Sequence, residues 1–183
     1  SEKWLCRNFP SSGCSGILVS MKGEHDSLIE GIQGSGHKAA LIVSGGGSAA
    51  VHALLSHPGA SRFMLEAQIP YSPPAMFDYL GEKLDGFCSE TAAQTMAERA
   101  YERALIFTLS DGVAQSILGI ACTAALQTTR ERKGPDRAFF CIKSRKREVA
   151  HKLELVPGSR AEQEEVVSKA LLNFIAAFLG DEE

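Results

Sequence analysis

An unbroken apolar run, Ala39-Ala-Leu-Ile-Val43, leads straight into Ser44-Gly-Gly-Gly-Ser48 and then into the helix-compatible stretch AAVHALL. A short run without polar alternation reads as a strand buried on both faces, and such strands belong to parallel or mixed sheets covered by helices. The three glycines then let backbone N–H groups approach a neighbour closely, and the next helix adds the positive end of its dipole. This segment therefore constrains the chain to an α/β layout with a functional loop, or a tight turn, at the carboxyl end of a strand. On local sequence the two readings of the loop weigh equally. It is not a Walker A loop, because no Gly-Lys-Ser/Thr follows, and it is neither G-x-G-x-x-G nor a G-x-S-x-G elbow.

The rest of the chain alternates in the same way. Asp26 to Ile32 reads as a short helix with Asp26 or Ser27 at its N-cap, ended by Gly34 and Gly36. Arg62 to Ser72 reads as a second strand in which Pro70 marks an edge or an end. Pro73-Pro74 opens a short helix closed by Gly81, and Ser89 caps a long one in which Ala93, Met96, Ala97, Ala100 and Ala104 share a face. Three strand-like runs follow, SILGIACTA, RAFFCI and EVAHKLELV. The last element, EEVVSKALLNFIAAFL, is an amphipathic helix with Val167, Leu171, Phe174 and Phe178 at helical spacing. The expectation is a three-layer α/β domain with a mixed sheet flanked by helices, over 26–183, preceded by an N-terminal extension over 1–25 that Trp4 pins to the body.

Composition excludes several functions. The 183 residues carry a net charge of -3, with no run of the roughly 20 apolar residues that a membrane span needs. The basic cluster Lys143 to Arg147 reads as a solvated turn between strands rather than a nucleic-acid patch, since aromatics and overall basicity are lacking. Five cysteines without a C-x-x-C pair indicate neither zinc nor a disulfide framework, and suit a reducing, cytoplasmic location. No metal site and no cofactor is expected. Ser44 at the strand end is a candidate nucleophile, with loop N–H groups as an oxyanion hole. A base for it is harder to find: His52 lies two helical turns away, and His25, His37, His57 and His151 each read as surface or satisfied histidines.

Four blocks in this order, SGGGS, PGASRFMLEAQIPYS, CSETAAQTMA and GIACTAALQTTRERKGPDRAFF, resemble the C-terminal domain of the CinA family. The family's blocks read approximately S-C-T-G-G, P-G-A-S followed by a strand ending Y-S-N-E-A-K, V-S-x-x-x-A-x-x-M-A, and T-G-I-A-G-P-G-G-G. The resemblance covers about Ser27 to Leu179 and is nearest to the eukaryotic version, which in plants is joined to a nucleotidylyltransferase-like domain. It implies an amidohydrolase that converts nicotinamide mononucleotide to nicotinic acid mononucleotide and ammonia. By position, Ser44 matches the nucleophile, Tyr71 the tyrosine of Y-S-N-E-A-K, and Gly45, Gly46, Gly47 and Ser48 the ligand-binding loop. Thr123 leaves a hydroxyl near the altered glycine segment, and Arg160 in PGSR matches an arginine of P-G-D-R.

The resemblance further implies a small-molecule nucleotide as ligand, a homo-oligomer, and a nucleotidylyltransferase-like partner domain outside these residues. Two positions depart from the family. Its lysine falls on Met76, which can act neither as base nor as charge, and its glycine-rich fourth block becomes Leu118-Gly-Ile-Ala-Cys-Thr-Ala-Ala-Leu126. Two alternatives to an amidohydrolase therefore stand: a non-catalytic nucleotide-binding domain, and a scaffold or oligomerisation module.

Overall fold

The computed structural model describes residues 21–81, 86–109, 116–129 and 134–181. Trp4, Cys6, Cys14 and most of the expected extension lie outside the described residues. Five strands form one sheet in the order β2-β1-β3-β4-β5. They are β1 (His37–Ser44), β2 (Met64–Gln68), β3 (Ser116–Ala125), β4 (Arg137–Lys143) and β5 (Glu148–Glu154). β1 is parallel to both β2 and β3, while β3, β4 and β5 run antiparallel, so the sheet is mixed. The helices are α1 (Met21–Gly34), α2 (Ser48–Ser56), α3 (Pro73–Leu80), α4 (Glu90–Thr108) and α5 (Arg160–Gly180).

Side chains alternate across β1 and β3 and divide the apolar interior in two. Ala39, Leu41 and Val43, with Leu118, Ile120 and Cys122, pack under α1, α2 and α5. Ala40 and Ile42, with Ile117 and Ala121, pack under α3 and α4. The result is the expected three-layer α/β domain. The alanine face of α4 is what allows its close approach. A methyl group built on Gly119 of β3 would stand 2.1 Å from the Ala97 carbonyl oxygen and 2.3 Å from the Tyr101 backbone nitrogen.

Several local expectations hold. Ser89 caps α4, accepting from the Ala92 N–H, and Gly81 closes α3 at φ 72°, while Ser72, read as the end of the second strand, caps α3 by accepting from the Ala75 N–H. β2 is an edge strand that ends before Pro70. The Lys143–Arg147 segment is a turn tied by the Ser144 hydroxyl, which accepts from the N–H groups of Lys146 and Arg147 at 3.2 Å each. Lys143 pairs with Glu98, and the Arg147 guanidinium lies 4.2 Å from the centroid of the Phe178 ring.

Other expectations need correction. α1 begins at Met21, so neither Asp26 nor Ser27 is its N-cap, and Asp26 instead faces His57 at 3.4 Å. The second strand is shorter than 62–72 because residues 60–62 form a 3-10 turn. α5 starts four residues before Glu164, at Arg160. There Ser159 and Glu162 form a reciprocal capping box that satisfies two N–H groups at the helix start.

Candidate functional site

Ser44 ends β1 and is only 6% exposed. Strand alternation continues the series Ala40, Ile42, Ser44, so its hydroxyl belongs to the α3/α4 face of the sheet. On β3 the residue in register with it is Thr123. The Thr123 hydroxyl donates to the Phe87 carbonyl, and the Cys88 thiol contacts the carbonyls of Thr123 and Arg137 at 3.8 and 3.6 Å. Segment 86–88 is thereby tied down over the end of β3. Thr123 lies next to Ser44, and its hydroxyl proton is committed to the fold.

No described residue supplies a base to Ser44. Met76, where the family resemblance has a lysine, is 1% exposed and packs with Ile42, Leu80 and Met96. His52 is exposed on α2. His37 contacts the Ser35 carbonyl at 3.1 Å, and His151 stacks between Phe140 and Phe174, where burial lowers its pKa from 6.5. Among the described residues, no hydrogen bond reaches the Ser44 hydroxyl from a lysine, arginine or histidine. The nearby thiol of Cys122 is fully buried and burial pushes its pKa well up, so it is no substitute nucleophile.

The glycine loop is shaped by its neighbours. Gly45 has φ 77°, and a side chain there would also meet the Ala124 carbonyl oxygen at 2.0 Å. Gly47 is the N-cap of α2 and offers no side-chain acceptor. The acceptor comes from α5. Glu164 accepts from the Gly47 N–H at 2.9 Å, the Ser48 hydroxyl at 2.8 Å and the Ala49 N–H at 3.1 Å, and Ser168 adds a fourth donor at 3.3 Å. The Gly47 and Ala49 N–H groups and the Ser48 hydroxyl thus hold an anion, which is the chain's own carboxylate. Sequence reasoning missed Glu164, and no local pattern signals it, because its partners lie more than a hundred residues away.

Arg160 and Tyr71 do come together. The Arg160 guanidinium donates to the carbonyls of Gln127 and Gly45, at 3.2 and 3.1 Å, and to the Tyr71 hydroxyl at 3.4 Å. All three acceptors are neutral, and the exposed guanidinium lies beside the carbonyl of Gly45, the residue after Ser44. Tyr71 is 67% exposed, on the segment between β2 and α3. On the other side of Glu164 a groove of about 430 Å³ runs between α2 and α5, lined by His25, His52, His57, Ser56, Glu165 and Lys169. Among the described residues no group of histidines, cysteines and carboxylates is arranged to hold a metal ion, and no helix is long and apolar enough to cross a membrane.

No protein-family model and no curated protein sequence matches the chain. Solved structures do. It is similar to the competence/damage-inducible protein of Agrobacterium tumefaciens, with a TM-score of 0.71 at 18% identity over 89% of this chain and 99% of that one. A CinA superfamily protein of Enterobacter cloacae gives 0.71 at 14% identity, covering 93% and 99%. One from Escherichia coli gives 0.62 at 16% identity, covering 88% and 91%. The sheet and its helical layers thus have the fold of these CinA superfamily structures.

Proposed function

We propose that this domain binds nicotinamide mononucleotide, or a close relative of it, and does not hydrolyse its amide. The observation that carries the reading is the state of Ser44. The serine stands at the carboxyl end of a central strand, where α/β folds bind ligands. Its hydroxyl has no base among the described residues, and Met76 fills the lysine's place with apolar core. Serine is a weak nucleophile without an activating partner, and losing one member of a unit that acts together costs on the order of a thousandfold or more in rate. Arg160 and Tyr71 support retained binding: a guanidinium with only neutral partners suits a phosphate, and an exposed phenol beside it suits a pyridine or ribose. The same proposal includes a reducing, cytoplasmic setting, which suits the buried thiols of Cys122 and Cys141.

The second reading, a working serine amidohydrolase, draws on the retained Ser44–Tyr71–Arg160 grouping alone. An ammonia-release assay with nicotinamide mononucleotide separates the two. The binding reading expects a ligand-dependent rise in melting temperature with no ammonia above that of Ser44→Ala. Ammonia release by the parent and not by the variant supports hydrolysis instead. Absence of both effects rejects this nucleotide as the ligand.

A further inference from the structure

We propose that Glu164 is a specificity-determining residue that sets the charge the Ser44 loop accepts, closing it to anionic groups and leaving it open to a neutral amide. This rests on the reading that a nicotinamide nucleotide binds at Ser44. The N-terminus of a helix is a partial positive charge with unpaired N–H donors, and it ordinarily attracts phosphate or carboxylate. In this chain those donors are spent: two backbone N–H groups and the Ser48 hydroxyl all bond Glu164. Among the described residues no basic side chain is bonded to Glu164 in return. The neighbouring Lys169 is paired with Glu165 at 2.7 Å, on the next residue of the helix.

The Glu164 carboxylate therefore sits on the loop, at the positive end of the α2 dipole. Its carboxylate is close enough that a methyl built on Gly46 would lie 3.1 Å from Oε2. A nicotinamide ring brought to Ser44 presents a neutral carboxamide there, whereas nicotinic acid mononucleotide presents a carboxylate. The two ligands share their phosphate, so that group contributes equally to both. Glu164 holds the loop at Gly47, and Arg160 holds it at the Gly45 carbonyl. The anion of the nucleotide is thereby directed to Arg160, and the uncharged end to Ser44.

Titration calorimetry of the two mononucleotides on the parent and on Glu164→Gln tests this. Glutamine removes the charge and keeps one carbonyl oxygen, which can take the place of the Glu164 oxygen that accepts from Ser48 and Ala49. The parent is expected to favour the amide nucleotide by about fivefold to tenfold, the penalty for like charges at short range in partly wet surroundings. Glu164→Gln is expected to bring the two affinities within about twofold of each other. An unchanged preference in Glu164→Gln overturns the assignment, and a purely structural Glu164 would give that result.

A second arm is independent of the nucleotide. Inorganic phosphate, compared with chloride at equal ionic strength, is expected to raise the melting temperature of Glu164→Ala and not that of the parent. Equal responses overturn the proposal. If neither nucleotide binds any variant, the functional reading above fails, and the phosphate arm still decides the role of Glu164.

Discussion

Replacing Gly119 by alanine tests the close contact that places α4 on the sheet. The added methyl would lie 2.1 Å from the Ala97 oxygen and 2.3 Å from the Tyr101 nitrogen, and 2.7 Å from the Tyr101 Cβ. The two nearest atoms are helix backbone, so no side-chain rotation relieves them. Reaching ordinary contact requires α4 to withdraw by more than about 1 Å, against a face of alanines that are all fully buried. Overpacking of this kind costs about 1–3 kcal/mol and occasionally more. Backbone atoms on the blocking side put this site at the upper end, near 3 kcal/mol.

Alanine also removes the strand cost of glycine, roughly 0.5–1 kcal/mol in the opposite direction. The net loss is about 2 kcal/mol or more, equivalent to a fall of roughly 4–8 °C in melting temperature for a domain of this length. Urea unfolding followed by circular dichroism measures it. A Gly119→Ala protein within about 0.5 kcal/mol of the parent would refute the reasoning, since α4 would then have room to spare.

Three further outcomes are expected. Ser159→Ala removes one half of the capping box at the start of α5 and should cost about 1 kcal/mol in the same unfolding assay, against a negligible change for Ser56→Ala at the exposed end of α2. His151 is held below its ordinary pKa of 6.5 by burial between two phenylalanines, so the unfolded chain takes up its proton more readily than the folded one. Stability should be level above pH 7 and fall as the pH drops through 6.5, and His151→Phe should remove that component of the slope. Gly45→Ala combines a left-handed backbone with a 2.0 Å approach to Ala124, and should abolish ligand-induced stabilisation as well as lowering the melting temperature.

Much of the fold was legible because its signals are local. The apolar run at Ala39–Val43, the glycines after it, and the serine at position 89 each act within a few residues, and the structure uses them as read. The start of α5 was equally local, since Ser159 and Glu162 have capping-box spacing, but the acidic run that follows drew the boundary forward to Glu164. The site divides differently. Ser44 could be placed from its strand. The meeting of Tyr71 with Arg160 could not be derived from spacing, because 89 residues separate them, and the family resemblance named the two residues without pairing them. Glu164 lay beyond both routes. Its pairing with Gly47 spans 117 residues, and a glutamate on an amphipathic helix has the same local sequence whether it faces solvent or caps another helix.

The central claim is that Ser44 sits in a binding site without turnover. Ligand-observed NMR of nicotinamide mononucleotide incubated with the parent, with Arg160→Ala and with Ser44→Ala reads binding and chemistry in one sample. The account predicts saturation transfer to the nucleotide from the parent and Ser44→Ala, a loss of that transfer with Arg160→Ala, and unchanged carboxamide signals throughout. Conversion of the ligand to nicotinic acid mononucleotide by the parent, abolished by Ser44→Ala, would contradict it.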